Sequence, residues 1–286
     1  MRKKSLIRKL FAGFLLIYLV LVIIYFSLSY YVNRQLESRG TQIALKNCSK
    51  IWATRGLNTR IGGLFDNANT IEAVNRAFRQ GAVGTEIDIF YDRQRQEYIV
   101  SHDYPYNLKQ GKLLTLAELL KATGHKGYFW LDFKKMRHLS KSVAKEAAVN
   151  LRSLVDYYSD NDAVFVEGHD PINLAYFRSA GFQTIFDSHP PPDHWPFTSF
   201  VMNIYKMVFY FGDHTVMGIE YDDINRPVFG PDTFKATTNV PLFIYHVPND
   251  RALLKKLSTH NNIKVILDID DAAAVFDINA CQPTKR

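Results

Sequence analysis

The sequence predicts an α/β protein: a (β/α)8 TIM barrel preceded by one N-terminal transmembrane helix. Three observations carry that expectation. Short β-rich apolar runs alternate with helical patterns from residue 50 onward, and strands alternating with helices of that length build parallel βαβ units. The chain of 286 residues, less its N-terminal segment, leaves close to the ~250 residues that eight such units need. The third observation is an uncharged run of 23 residues, 10–32, behind a basic flank.

That N-terminal run comes first in the chain. MRKKSLIRK carries five basic residues and no acid. The following LFAGFLLIYLVLVIIYFSLSYYV is long enough to cross a hydrocarbon core of about 30 Å as a helix. A cleaved signal peptide has an apolar region of only about 7–15 residues ending on small side chains. This run is longer and ends on Tyr30-Tyr31, which suits an interfacial anchor. The basic flank then stays in the cytoplasm, and the body lies on the periplasmic or extracellular side of a single-pass membrane protein. The organisation expected is a flank at 1–9, an anchor at 10–32, a linker at 33–49, a barrel at 50–280 and a tail at 281–286. The formal charge of +7 less those five basic residues leaves +2 for everything else. So neutral a body gives no reason to expect a nucleic-acid partner, and nothing in the chain names a protein partner.

Within the body the expected strands are IWATR (51–55), GTEIDIF (84–90), YFWLDF (128–133), AVFVE (163–167), FQTIF (182–186), VMGIEY (216–221), PLFIYH (241–246) and IKVILDI (263–269). Helical patterns fall between most of them: NTIEAVNRAFRQ (69–80), SKSVAKEAAVNLRSLVDYY (140–158), PINLAYFRSA (171–180) and NDRALLKKLSTH (249–260). EYIVSH (97–102) breaks the rhythm and reads as the return arm of a hairpin on the second strand, turning at DRQRQ. The segment 187–215 is irregular, with Pro190–Pro192 as a stiff connector. Its aromatic FTSFVMNIYKMVFYF reads as the fifth barrel helix or, alternatively, as a lipid-facing or lid segment beside the mouth. An open doubly wound sheet is the competing architecture. No Gly-x-Gly-x-x-Gly follows any strand, which speaks against a dinucleotide site.

In such barrels the chemistry sits at the C-terminal ends of the strands. The polar residues there are Thr54, Arg55 and Gly56 on the first strand, Glu86 and Asp88 on the second, with His102 on its hairpin. Asp132 and Lys134 follow on the third, Glu167 and His169 after the fourth, then Glu220, His246 and Asp268. Residues two apart on a strand share a face, so Glu86 and Asp88 point one way and Ile87 and Ile89 the other. An amphipathic strand with a wet face accounts for that pattern alone. With Asp132 on a neighbouring strand, the pattern also fits three converging carboxylates, a ligand set for Mg2+ or Ca2+. Arg55 and Lys134 can flank the same point and bind a phosphate. A divalent cation with Arg, Lys and His is a toolkit for phosphoryl transfer.

The two cysteines, Cys48 and Cys281, form no C-x-x-C, which speaks against a thiolate zinc site. One precedes the first strand and the other follows the last helix. They either meet at the bottom of the barrel as a disulfide or remain two unpaired thiols.

These motifs resemble the glycerophosphodiester phosphodiesterases and their phospholipase C-like relatives. The resemblance rests on TRG (54–56), ANTIEAVNRAFRQGAVGTEID (68–88), VSHD (100–103) and LDFK (131–134), with VPLFIYHVPN (240–249) and VILDI (265–269) as the seventh and eighth strands. It implies a metal site at Glu86, Asp88 and Asp132, an acid/base His102, and phosphate contacts from Arg55 and Lys134. Asp132 in place of the usual Glu, and the short spacing from His102, resemble the sphingomyelinase D-like branch that acts on membrane lipids. The larger departure is Thr54, which stands where the family has its first catalytic histidine. A hydroxyl cannot exchange a proton near neutral pH, so either activity is poorer or another imidazole, His169 or His246, takes the role. The function expected is therefore a membrane-anchored, metal-dependent hydrolase of glycerophosphodiester or lysophospholipid-type substrates. The alternative is an inactive barrel that binds lipid head groups.

Overall fold

A computed structural model of the chain describes residues 2–43, 45, 49–57, 67–109, 111–223, 226–268, 276 and 278. Helix α1 (Arg2–Arg39) leads into β1 (Ile51–Trp52), α2 (Ile71–Arg79), β2 (Gly84–Asp92) and β3 (Glu97–Val100). Then come α3 (Leu116–Thr123), β4 (Tyr128–Phe133), α4 (Lys141–Tyr158), β5 (Val164–Gly168), α5 (Pro171–Ser179) and β6 (Gln183–Ser188). The chain continues through α6 (Thr198–Phe211), β7 (Val216–Glu220), the small ribbon β8 (Asp222–Asp223) and β9 (Arg226–Pro227), α7 (Pro231–Ala236), β10 (Leu242–Val247), α8 (Arg251–Ser258) and β11 (Ile263–Asp268).

Eight of these strands run parallel, in the order β1, β11, β10, β7, β6, β5, β4, β2. Ala53, one residue past β1, pairs with Thr85 of β2 and so joins the two ends of the sheet. The protein is a (β/α)8 barrel rather than an open doubly wound sheet. β3 is the antiparallel return arm on β2, with Ile89 opposite Val100.

Successive side chains of a strand face opposite sides, and here the inward set changes character one step up the barrel. The floor is aromatic: Trp52, Tyr128, Trp130, Phe165 and Phe243 form one buried cluster. Trp52 stacks on Tyr128 at 5.4 Å between centroids, and Phe165 lies 5.0 Å from Phe243. Gly84 permits this floor, because a Cβ there would fall 2.5 Å from the Trp52 ring. Two residues further along the same faces stand Glu86, Asp132, Glu167, Asp187 and Tyr245. The outward faces, such as Ile87, Leu131 and Val166, pack under the helices in a second core.

Local chemistry sets the helix starts. Thr70, Asp170 and Asp250 cap α2, α5 and α8 through side-chain oxygens that accept backbone N–H groups. α3 is a helix that the hydrophobic pattern does not predict, although Thr115 and Glu118 form a reciprocal capping box at its start. The short α7, which opens on Gly230-Pro231, is likewise not predicted by the pattern. The first strand ends earlier than predicted because Arg55 and Gly56 adopt left-handed conformations, φ 52° and 75°. A Cβ on Gly56 would lie 2.7 Å from the α2 backbone, so only glycine fits that turn.

The aromatic segment after the prolines forms α6, a barrel helix between β6 and β7, with Met202, Lys206 and Phe209 buried. α1 continues to Arg39, into the stretch expected as linker, and its Val32 and Leu36 are each 1% exposed. Cys48, Cys281 and the side chain of Asp268 lie outside the described residues.

Candidate active site

Asp88 is the hub of the mouth. It is fully buried, and its Oδ2 accepts from Asn69 Nδ2 at 2.7 Å and meets Arg55 Nε at 3.0 Å. Its Oδ1 lies 2.8 Å from Lys134 Nζ. The Asp88 backbone N–H donates to Asn69 Oδ1 at 3.0 Å, so Asn69 grips both the side chain and the strand. Glu86 Oε2 accepts the Arg55 backbone N–H at 3.0 Å. Lys134 also pairs with Asp132. Asp88 and Asp132 are register partners on adjacent parallel strands, which is why their carboxylates stand side by side. Glu86, Asp88 and Asp132 bring one oxygen each within 4.8 Å of the others.

The electrostatics of this group are lopsided. Burial would raise the Asp88 carboxyl, but Lys134 and Arg55 outweigh it and hold the group below its ordinary value. Burial, and then the Asp88 charge, push Glu86 well above its own. Burial, partly offset by Lys134, raises Asp132. The Lys134 ammonium is held charged by Asp132, Asp88 and Glu86 against the cost of its own burial. Three carboxyls thus face two cations, and two of the three are driven toward the neutral form. A divalent cation fits this set: the donors are all hard oxygens, and its charge would answer the surplus.

The far side of the mouth is built differently. Glu167, register partner of Asp132, is buried and accepts from Trp130 Nε1. Burial, then the Asp132 and Asp187 charges, push it well above its usual range. His169 Nδ1 lies 2.8 Å from Asp187 Oδ2, and the Tyr245 hydroxyl donates to Asp187 Oδ1 at 3.0 Å. The His189 ring stacks on His169 at 4.5 Å. The bond to Asp187 raises the His169 pKa against a smaller opposing effect of burial.

The structure therefore brings Arg55, Glu86, Asp88, Asp132 and Lys134 into one cluster. His102 is not bonded to that cluster; its Nδ1 meets Asp103 Oδ1 at 2.8 Å. It shares with Arg55, Asn69 and Lys109 the walls of a cleft of about 990 Å³. His246, at φ 56°, pairs with Glu220 at 2.8 Å instead. Thr54 sits between the Ala53 bridge and the left-handed Arg55. Sequence reasoning missed Asn69, Asp187 and Tyr245. Asn69 stood in plain view before the Thr70 cap. Asp187 and Tyr245 continue an inward alternation, Ile185–Asp187 and Phe243–Tyr245, that could have been followed one step further.

No family model matches the chain, and no curated protein does. Solved structures do. A glycerophosphodiester phosphodiesterase from Parabacteroides distasonis is 15% identical over 82% of this chain and 97% of that one, at a TM-score of 0.54. The chain has the glycerophosphodiester phosphodiesterase fold. The enzyme of that name from Thermotoga maritima is 15% identical, covers 79% of this chain and 96% of its own, and has a TM-score of 0.54. An Oleispira antarctica phosphodiesterase, solved with the product sn-glycerol-3-phosphate, is 12% identical over 77% of this chain and 92% of that one, at a TM-score of 0.54. Within the glycerophosphodiester phosphodiesterase fold, the cluster around Asp88 lies at the C-terminal mouth of the strands, where barrels of this kind carry their chemistry.

Proposed function

We propose that the protein is a membrane-anchored, metal-dependent phosphodiesterase that hydrolyses glycerophosphodiester or lysophospholipid-type substrates. The observation that carries this reading is the convergence of Glu86, Asp88 and Asp132 with Arg55 and Lys134 at the mouth of a barrel of this fold. The Oleispira neighbour, solved with a phosphodiester hydrolysis product, supports the substrate class. A hydropathy of 2.6 over the best window of α1, with none of that window buried, supports the anchor. The five basic residues ahead of it support a cytoplasmic N-terminus and a barrel on the outer side.

The residues divide the work. Glu86, Asp88 and Asp132 hold Mg2+ or Ca2+. When bound, that cation supplies Lewis-acid polarisation of a phosphoryl oxygen. Arg55 and Lys134 add fixed positive charge beside the phosphate, in a site too buried for water to screen it. Asn69 fixes the Asp88 rotamer. His169 is the candidate general acid: Asp187 lies 2.8 Å from its Nδ1 and favours the charged form, and the proton would go to the leaving oxygen. His102, tied at Nδ1 to Asp103, handles the proton of the attacking hydroxyl. This pairing supplies the general acid that Thr54 cannot.

The test is turnover by the full chain in detergent micelles, on a panel of glycerophosphodiesters and lysophospholipids, with Mg2+, with Ca2+ and with chelator. Turnover that appears with cation and vanishes with chelator is expected. No turnover under any condition would leave the barrel as an inactive head-group binder, the reading that Thr54 favours.

A further inference from the structure

α1 fixes which way the mouth points. Its contacts with α6 run from the start of that helix to its end, with Tyr31 reaching Tyr210 between them. Tyr25 packs on Phe200 at 4.7 Å, Asn33 bonds Asn203 at 3.2 Å and Lys206 at 2.5 Å, and Arg39 faces Asp213 at 3.7 Å. The two helices therefore run parallel. α6 starts at the rim, where the loop after β6 ends, and descends to Asp213, which bonds Arg178 at the lower end of α5. α1 thus leaves the body upward, past the rim that carries the catalytic cluster. Residues 9–24 extend about 24 Å beyond the Tyr25 contact at 1.5 Å per residue. Twelve apolar side chains between Leu10 and Ile24 are 46–71% exposed.

The same rim is greasy. Trp195 and Phe197, in the loop between β6 and α6, are 46% and 58% exposed and meet edge-to-face at 5.1 Å. Phe200 follows on the first turn of α6 at 45%. Across the mouth, Tyr104 and Leu108 on the His102 loop are 63% and 60% exposed. Monomeric proteins rarely leave aromatic groups so gathered in water, and tryptophan with its neighbours suits a bilayer interface.

We propose that the barrel docks mouth-first on the bilayer its own anchor spans, with Trp195, Phe197 and Phe200 sunk in the interface. Its substrate is then a phosphodiester lipid resident in that leaflet, presented to the cation site from the membrane, rather than a water-soluble diester. This rests on α1 as the span and on the mouth as the phosphodiesterase site. Nothing of the sort follows from the presence of an anchor alone. A span leaving from the opposite end of α6 would turn the mouth to the solvent.

The chain's three tryptophans make the test direct, because Trp52 and Trp130 are each 1% exposed inside the barrel and only Trp195 reaches the surface. The full chain is reconstituted in phosphatidylcholine vesicles with bromines at shallow acyl positions. Bromolipid quenching of the emission is expected, and it should vanish in Trp195→Phe. Emission unchanged by bromolipid would overturn the docking. In parallel, Phe197→Glu should lower turnover of vesicle phospholipid at least tenfold and leave a soluble glycerophosphodiester unaffected. Equal loss on both, or faster wild-type turnover of the soluble diester, would overturn the lipid substrate. Absence of turnover on either would sink the phosphodiesterase reading and the substrate claim together, while quenching would still decide the orientation.

Discussion

The two halves of the mouth solve different problems with the same raw material. On the β1, β2 and β4 side, Glu86, Asp88 and Asp132 face Arg55 and Lys134, whose charges pair with Asp88 and Asp132 while Glu86 accepts the Arg55 backbone N–H. On the β5 and β6 side, Asp187 holds a titratable imidazole, His169, with a tyrosine at its back. Carboxylates crowded together bind cations. A carboxylate given an imidazole positions and charges it. Thr54 offers no imidazole on the first strand, whereas the opposite wall holds one, His169, apart from the charged cluster, which is the basis for the proposed shift of the proton work to that side.

The largest blow to that division comes from the imidazole side. His169→Ala should cut turnover by about 10²–10⁴-fold, the usual range for a lost general acid or base. His246→Ala, whose ring is tied to Glu220, should do little. If only His102→Ala lowers the rate, the relocation is wrong. Asp187→Asn sharpens the point through pH. The Asp187 bond raises the His169 pKa, so an acid role is available below that raised value and is lost as pH rises through it. Removing the carboxylate should move the alkaline limb of the kcat profile to lower pH, with KM little changed. An unmoved limb would mean His169 is not the acid.

On the charged side, Lys134→Met should lower kcat by about 10²–10³-fold, the scale for losing one donor to developing oxyanion charge. It should also raise the pKa values of Asp88 and Asp132, which lean on that ammonium. Turnover within a few fold of wild type would remove Lys134 from the phosphate. Asn69→Ala is gentler. It leaves all ligands in place but frees the Asp88 rotamer, and an outer partner of this kind typically contributes about 10–100-fold in metal affinity. Calorimetry that finds the affinity unchanged would make Asn69 a helix-entry residue only.

Much of the mouth was legible because carboxylates on an apolar strand are costly unless something uses them. Glu86, Asp88 and Asp132 stand out for that reason, and parallel register does the rest. Asp187 escapes because the run FQTIF predicts a strand that ends at Phe186, one residue before the inward step that matters in β6. Tyr245 looks like one more β-former. The first strand was overextended because the left-handed turn at Arg55 depends on the close approach of Gly56 to α2, a contact between segments well apart in sequence. α3 carries its capping box openly, but its eight residues between polar loops give too short an apolar pattern to stand out. The course of α1 alongside α6 had no signature, because hydropathy reports length and greasiness but not which end of a barrel helix a span will meet.

Isothermal calorimetry of the full chain in detergent tests the proposed cation site at Asp88. Asp88→Asn keeps the shape and the Asn69 contact but removes the charge that Arg55 and Lys134 answer. Wild type should bind Mg2+ or Ca2+, and the variant should bind more than about a hundredfold more weakly, since a direct ligand is worth more than an outer one. Equal affinity in the two proteins would contradict the assignment of Glu86, Asp88 and Asp132 as ligands.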